Sequence, residues 1–227
     1  MSTVERELKL TPVDPELLDR LGGLARLGPF SVTGRHRELQ VNSFYDTKSS
    51  GLRRTRLGFR RRVIDRRPNA IWTVKAEGDV VRGISSRAEV EVQLSRLMAP
   101  ALVIGVLRQA ARERGAPALA EQISDALSDG LLPLPKPFLE LETDRWVLAL
   151  EVAERSWQSE LALDRVGLVG HARYEDREIE VELKRGDEAA LDAARAAIEA
   201  LGEVRESHGS KLSRALDYIE RSAPSSR

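Results

Sequence analysis

The sequence contains no cysteine and few aromatic residues. Among its 227 residues, Phe, Trp and Tyr together make up 4%. The lack of cysteine excludes disulfides and cysteine-ligated zinc. The three histidines, His36, His171 and His208, are far apart along the chain, which disfavours a histidine zinc site. Any bound metal is therefore predicted to be a hard ion held by carboxylates.

Long hydrophobic runs and an excess of either charge are also lacking. The longest apolar stretch, around 101–107, is too short to span a bilayer, and charges begin at Glu5, so no signal peptide is expected. Lys plus Arg and Asp plus Glu both number 36, which argues against bulk electrostatic capture of nucleic acid. We therefore expect a cytoplasmic protein that binds neither nucleic acid nor membranes.

The chain is rich in charged residues, and its hydrophobic content is that of a globular protein. Charged residues make up 32% and hydrophobic residues 41% of the sequence. The length suits one large domain or two small ones. A strand-rich block is followed by a helical segment, and strands then return, which favours α+β architecture with an antiparallel sheet.

The periodicity of hydrophobic residues predicts where the individual strands and helices lie in the sequence. Alternation predicts strands over 4–10, 37–46, 56–65, 70–76, 87–94, 138–151, 157–164 and 174–184. Helices are predicted over 14–27, in two stretches within 99–130, over 187–201 and from about 210 to 221. Asp14 is predicted to cap the first helix and Pro15 to begin it, while Pro133, Pro135 and Pro137 end the second helical segment. We expect one domain over 1–222 and a disordered tail or linker over 223–227.

Charged residues occupy alternate positions on one predicted strand after another. Since residues i and i+2 share a strand face, Glu5, Glu7 and Lys9 lie on one face of the first strand. The same arrangement recurs on later strands with Arg60 and Arg62, Lys75, Glu89 and Glu91, Glu160 and Asp164, and Glu178, Glu180, Glu182 and Lys184. A solvated strand face explains one such pattern, but its recurrence on six strands indicates a polar working surface.

The signs of these charges suggest the ligand. Like charges two residues apart in a strand lie about 6–7 Å from each other and repel. Clustered carboxylates become favourable around a cation, and clustered arginines and lysines become favourable around a polyanion. If the sheet closes beneath its helices, the charged face lines a channel. The pattern therefore predicts a metal-bound oligophosphate and metal-assisted hydrolysis.

The chain resembles a known family, the CYTH domain, also called the triphosphate tunnel metalloenzymes. The resemblance runs from Glu5 to about Leu216. The motifs that carry it are, in chain order, Glu5-Arg6-Glu7-Leu8-Lys9, Phe44-Tyr45-Asp46-Thr47, Phe59-Arg60-Arg61-Arg62, Thr73-Val74-Lys75, Arg87-Ala88-Glu89-Val90-Glu91, Arg145, Leu163-Asp164, Glu180-Val181-Glu182-Leu183-Lys184-Arg185-Gly186 and Ser210-Lys211. Phe59 stands where the family pattern has leucine.

The resemblance implies an eight-stranded antiparallel β-barrel, or tunnel, with a charged interior and helices packed outside. It implies cleavage of triphosphates with Mg²⁺ or Mn²⁺. The implied metal ligands are Glu5, Glu7, Glu180, Glu182 and Asp164. The implied phosphate-binding residues are Lys9, Arg60, Arg62, Lys75, Arg145, Lys184 and Lys211. Residues that could support the site are Tyr45, Glu89, Glu91 and Glu160.

The resemblance also implies catalytic roles for Lys9, Glu5 and Glu7. Lys9 could orient or activate the attacking water, together with Tyr45. Activation by the metal is favoured over this role, because Glu5 and Glu7 stabilise the ammonium form of the lysine. For Glu89 and Glu91, a role near the metal and pairing with the arginines of the lining stay equally open.

Several functions are compatible with these motifs. The first hypothesis is an inorganic triphosphatase that converts tripolyphosphate to pyrophosphate and phosphate, because so few aromatic residues are available to stack on a base or thiazolium. The alternatives are a thiamine or nucleoside triphosphatase, a class IV-type adenylate cyclase, or a non-catalytic polyphosphate-binding module. The acidic motifs favour an enzyme over a binder. We expect a monomer or homodimer, and the tail could lead into a helical CHAD domain.

Overall fold

The structure is a computed structural model that describes residues 4–81, 83–128 and 136–222. The predicted tail over 223–227 and the predicted helix-ending residues Pro133 and Pro135 lie outside the described residues. Among the helices that are described, none combines the length and the apolar character needed to cross a membrane.

The chain forms two compact units. Unit 1 contains Met1–Glu7 and Glu38–Thr143, and unit 2 contains Leu8–Arg37 and Asp144–Arg227. The expectation of a single domain over 1–222 stays a prediction.

More of the described residues lie in strands than in helices. The strands are β1 (Val4–Pro12), β2 (Arg26–Leu27), β3 (Phe30–Tyr45), β4 (Leu57–Ile64), β5 (Asn69–Ala76), β6 (Asp79–Val81), β7 (Ile84–Ser95), β8 (Leu139–Val152), β9 (Trp157–Leu168), β10 (His171–Arg185) and β11 (Val204–Glu206). The helices are α1 (Leu17–Gly23), α2 (Gly51–Arg54), α3 (Pro100–Glu113), α4 (Pro117–Ala126), α5 (Ala189–Glu199) and α6 (Lys211–Ser222).

Strand pairing follows a closed order. Hydrogen bonds connect β1, β10, β9, β8, β3, β4, β5 and β7 in that sequence, and β7 pairs in turn with β1. The described part of the chain thus contains a cycle of eight strands, with β11, β2 and β6 attached to its members. This confirms the predicted α+β class and the eight-stranded antiparallel barrel topology.

In unit 1, helices cover the apolar face of the sheet. Helix α3 packs on β5 and β7, and α4 packs on α3. The core contains Phe59 and Trp72 from the strands and Ile104, Leu107 and Ile123 from the helices, all at most 1% exposed. Because side chains alternate along a strand, burying this set leaves the charged positions on the opposite face.

Unit 2 is built in a similar way around the β9–β10 hairpin. Helix α1 packs on β9, α5 packs on β9 and β10, and α6 packs on β10. Ile179 and Val181 of β10 are fully buried, together with Leu191 and Ile198 of α5. The alternate positions of β10 carry the carboxylates.

Most predicted elements are present, with differences at their ends. Strand β3 begins at Phe30, seven residues before its predicted start at 37. The capping role of Asp14 is wrong, because α1 begins at Leu17 after Glu16. The Asp14 carboxylate instead accepts a hydrogen bond from the Glu16 backbone N–H at 2.9 Å, which closes a turn ahead of the helix. The shortest elements, β2, β6, β11 and α2, were not predicted.

We predict that Trp72 is the main contributor to the core of unit 1. The side chain is 0% exposed, and Trp72→Ala would leave a cavity that the surrounding strands and α3 cannot fill. We expect the free energy of unfolding to fall by about 3–5 kcal/mol in urea denaturation. Leu102→Ala, at a side chain on α3 that is 66% exposed, should change it by less than about 0.5 kcal/mol. Equal losses in the two variants would contradict this assignment of the core.

Candidate active site

Charged side chains gather into one cluster in each unit. The unit 1 cluster consists of Glu5, Glu7, Lys75, Arg87 and Glu89. The unit 2 cluster consists of Lys9, Arg145, Asp164, Glu178, Glu180, Lys211 and Arg214.

The register of the β9–β10 hairpin decides which carboxylates meet in unit 2. Glu178 lies directly opposite Asp164, and Glu180 lies opposite Ala162. Glu182 lies opposite Glu160, two positions further along the ladder. Asp164, Glu178 and Glu180 therefore converge, and one carboxylate oxygen from each lies within 4.8 Å of the others.

Lys211 occupies the point where these three carboxylates meet. Its Nζ lies 2.9 Å from Asp164 Oδ2 and 2.9 Å from Glu180 Oε1, and it also contacts Glu178 Oε2. Lys211 is the first residue of α6, where the helix dipole disfavours a positive charge. The three carboxylates offset this disadvantage.

Arg145 and Lys9 complete the charge balance on the other side of the carboxylates. Arg145 donates from Nε and Nη2 to the two oxygens of Asp164 at 2.7 and 2.6 Å, and from Nη2 to Glu180 at 2.5 Å. This forked geometry suits carboxylates and phosphates alike. Lys9 Nζ lies 3.0 Å from Glu180 Oε1.

Arg214, one turn after Lys211 on α6, holds the outer side of the cluster. Its Nη2 lies 2.9 Å from Glu178 Oε1 and 2.7 Å from Asp176 Oδ2. Each oxygen of the fully buried Glu178 thus contacts a cation from α6.

Burial and ion pairing shift the pKa values of these groups in opposite directions. Burial raises the pKa of Glu178, although Lys211 and Lys9 partly counteract it. For Glu180 the attraction of Lys211, Lys9 and Arg145 outweighs burial, and the pKa lies well below its ordinary value. The pKa of Asp164 is lowered because Arg145 and Lys211 outweigh its burial. The pKa of Lys211 is raised, since its carboxylate neighbours outweigh its own burial.

The unit 2 carboxylates fit a divalent metal in kind and in spacing. Mg²⁺ and Mn²⁺ prefer carboxylate oxygens, and the three converging oxygens already surround a cation in the form of the Lys211 ammonium. A metal at this point would need Lys211 to withdraw, because two cations cannot share it.

In the unit 1 cluster, two cations hold three carboxylates. Lys75 Nζ lies 2.6 Å from Glu89 and 3.8 Å from Glu7, and it also contacts Glu5. Arg87 pairs with Glu7 and lies 3.6 Å from Glu5. Burial lowers the pKa of Lys75, but Glu7 and Glu89 outweigh it and the net shift is upward. Lys75 is therefore a cation at neutral pH.

The two arginines predicted to bind phosphate in unit 1 lie beside this cluster on β4. Arg60 Nη2 is 3.8 Å from Glu91, whose carboxylate accepts a hydrogen bond from the Thr73 hydroxyl at 2.9 Å. Arg62 donates to the Asn42 side-chain oxygen at 3.2 Å. Each guanidinium group carries several N–H donors in a planar fork, which suits the oxygens of an anion.

Some predicted residues lie away from these clusters. Glu182 pairs with Lys184 at 2.6 Å, and their side chains are 30% and 43% exposed. In the described residues, Glu182 and Glu160 are not in the group of converging carboxylates. Tyr45 is 3% exposed and packs against Phe59 and Trp72 in the core of unit 1.

The sequence argument gave no site role to three residues that the structure brings into the clusters. Glu178 carried a usable signal, because it precedes Glu180 and Glu182 in the same alternation, but its register against Asp164 was unknown. Arg87 lies in a quoted motif, and its contact with Glu7 depends on strand pairing. Arg214 follows Lys211 by three residues on one helical face, and that spacing alone could have identified it.

We predict a pH-dependent role for Lys211 in stability. Asp164 and Glu180 have lowered pKa values, so their stabilisation is present above their ordinary values near 3.8 and 4.5 and is lost as the pH falls. Lys211→Met removes a cation and raises these pKa values, so the unfolding free energy should fall by about 3–5 kcal/mol near pH 7.5. The loss should be smaller near pH 5, where the carboxylates of the variant take up protons.

Urea denaturation at the two pH values measures this effect. Lys184→Met, at a partly exposed ion pair, is the control and should cost less than about 1 kcal/mol. A loss in Lys211→Met that does not change with pH would contradict the ionic explanation.

Known proteins resemble this chain in sequence pattern and in fold. The family model for the CYTH domain matches residues 3–216. Comparison with curated protein sequences finds no significant match. Solved structures with a similar fold include the candidate adenylyl cyclase HpAC1 from Hippeastrum, described as having a dominant triphosphatase activity. It has a TM-score of 0.62 and 19% identity, over 94% of this chain and 96% of that one.

Two further structures have the same fold. One is a candidate adenylate cyclase from Bacillus halodurans, with a TM-score of 0.55 and 21% identity, over 94% of this chain and 98% of that one. The other is the PH1819 protein from Pyrococcus horikoshii OT3, with a TM-score of 0.52 and 15% identity, over 93% and 99%. At these identities the structures show the fold alone, whereas the family model spans nearly the whole sequence. The chain therefore belongs to the CYTH domain family.

Proposed function

We propose that this protein is a divalent-metal-dependent hydrolase of triphosphates, which converts inorganic tripolyphosphate to pyrophosphate and phosphate. The observation that carries the proposal is the convergence of Asp164, Glu178 and Glu180 on one point beside Arg145 and Lys9. Carboxylates that converge on a cation, with further cations next to them, suit a metal-bound polyanion.

Within unit 2, the proposal assigns metal binding to the three converging carboxylates. A bound Mg²⁺ or Mn²⁺ would neutralise phosphoryl oxygens and make a water molecule more acidic. The ammonium of Lys211 can leave the carboxylates only when another cation replaces its charge. It is then available to a phosphate oxygen, as are Lys9 and the guanidinium of Arg145.

The unit 1 cluster supports the same chemistry through its cations. Lys75, Arg60 and Arg62 offer donors suited to phosphate oxygens. Glu5 and Glu7 are proposed metal ligands from the family motif, and in this structure Lys75 and Arg87 neutralise them. Like Lys211 in unit 2, these cations neutralise the carboxylates as long as no divalent metal ion displaces them.

The first test of the proposal is phosphate release. We expect the purified protein to release phosphate from tripolyphosphate with Mg²⁺ or Mn²⁺. EDTA should abolish this activity, because it removes the cation that would neutralise the phosphoryl oxygens. Colorimetric phosphate measurement, with ATP and thiamine triphosphate in parallel, distinguishes an inorganic from an organic triphosphatase.

Other products would replace the proposal with an alternative. Formation of cyclic AMP from ATP would identify a cyclase. Tight tripolyphosphate binding with no turnover of any substrate would identify a polyphosphate-binding module.

The second test separates the two glutamate pairs of β10. The structure places Glu178 and Glu180 in the converging group, whereas the motif assigns Glu180 and Glu182. We expect Glu178→Gln to lower metal-dependent kcat by at least about 100-fold, on the scale of a lost transition-state contact, and Glu182→Gln to lower it by less than about tenfold. The two substitutions are chemically identical and two residues apart on one strand face, so each serves as the control for the other. The reverse order would favour the pair assigned from the motif.

A further inference from the structure

Two turns lie side by side at one end of the unit 1 sheet. The first joins β4 to β5, and the Arg67 backbone N–H donates across it to the Ile64 carbonyl at 2.9 Å. The second spans residues 95–98 at the end of β7 and is closed by a backbone hydrogen bond of 3.1 Å. The Arg96 backbone N–H joins the two turns by donating to the Pro68 carbonyl at 3.0 Å. The turns therefore form one continuous part of the surface.

The side chains on these turns are largely exposed. Arg66 lies at the tip of the first turn, and Arg96 and Leu97 lie at the tip of the second. Leu97 is 86% exposed. Leu39 of β3 is 59% exposed and lies next to the first turn, because the Asp65 backbone N–H donates to its carbonyl at 2.9 Å. We define the turn surface as Leu39, Arg66, Arg67, Arg96 and Leu97.

The backbone of Arg66 has a conformation that arginine rarely adopts. Asp65 and Arg66 have φ values of 48° and 58°, as the two central residues of a type I′ turn do. Such positions favour glycine, asparagine and aspartate. The Asp65 carboxylate gains a hydrogen bond from the Leu39 backbone N–H at 3.0 Å in return. Arg66 has no comparable contact, so a strained backbone at this exposed tip points to a use for its side chain.

The positive charge of the turn surface is incompletely balanced. In the part of the chain that the structure describes, neither Arg66 nor Arg96 forms an ion pair. Arg67 lies 3.4 Å from Asp65 and is 64% exposed. The expectation that the chain does not bind membranes rested on equal totals of acidic and basic residues, which are an average over the whole sequence. A single surface can depart from that average.

We infer that the turn surface docks on a membrane that contains anionic lipids. Its arginines match the negative charge of the headgroups, and Leu39 and Leu97 can enter the apolar boundary beneath them. A second copy of the chain is a poorer occupant, because a two-fold contact through the same surface brings arginines towards arginines. The turn surface contains none of the residues assigned to phosphate or metal, so this inference is independent of the proposed function.

The test is co-sedimentation of the full chain with vesicles, which requires no turnover. We expect binding to vesicles of phosphatidylcholine mixed with phosphatidylglycerol, and at least about tenfold weaker binding to phosphatidylcholine alone. Raised salt should weaken the binding, because it screens exposed charges. Leu97→Ser should weaken it by at least about tenfold through the loss of apolar contact. Leu201→Ser, at a leucine that is 39% exposed in unit 2, should change it by less than about twofold.

Arg66→Gly separates a loss of binding from a loss of folding. Removing one charge should weaken vesicle binding about fivefold. The urea midpoint should stay the same or rise, because glycine adopts positive φ without strain. Arg56→Gly is the matched control, since Arg56 also has a φ of 58° and is exposed just before β4 begins. It removes the same charge and relieves the same backbone strain away from the turn surface, so its vesicle binding should stay close to wild type.

Three results would overturn the inference. The first is equal binding to the two kinds of vesicle, and the second is an equal loss of binding in Arg66→Gly and Arg56→Gly. The third is retention of the protein by immobilised polyglutamate, lost in Arg66→Gly, without any vesicle binding. That result would assign the turn surface to an acidic protein partner in place of a membrane.

Discussion

The unit 2 cluster depends on the neutralisation of buried carboxylates by cations from other elements. Asp164 and Glu178 are both fully buried, where an unpaired charge is very unfavourable. Arg145 from β8 and Lys211 from α6 supply the compensating charges, and Arg214 adds a further one. The position of α6 on β10 is therefore coupled to the ionisation of the carboxylates.

This dependence has a consequence for ligand binding. Lys211 lies at the centre of three carboxylates, so the site holds its own internal cation. Under the proposed function, exchange of this ammonium for a divalent ion would keep the charge of the carboxylates neutralised and would release a cation for phosphate. The carboxylates of the unit 1 cluster are also neutralised by internal cations, because Lys75 pairs with Glu5 and Arg87 pairs with Glu7. In both units the positive charges stabilise the carboxylates and are also the groups suited to a polyanion.

The role of aromatic residues shows how composition can mislead. A total of 4% Phe, Trp and Tyr made a stacking pocket improbable from the sequence. In the structure, Tyr45, Phe59 and Trp72 form one compact group in the core of unit 1. Tyr174 and Tyr218 form another between β10 and α6 of unit 2. An average over the chain does not report where a few rings come together.

The alternation of charged and apolar residues along single strands allowed much of the structure to be predicted from the sequence. It predicted the strands, the faces that carry charge and the hard-oxygen character of the site, because both side-chain direction and ligand chemistry are local properties. Pairing between strands was decided only in the tertiary structure. The β9–β10 register places Glu178 opposite Asp164 and leaves Glu182 opposite Glu160, and a shift of two residues would have selected the other pair. Packing likewise decided which cation pairs with each carboxylate, since Lys211 and Arg214 reach β10 only when α6 lies on it.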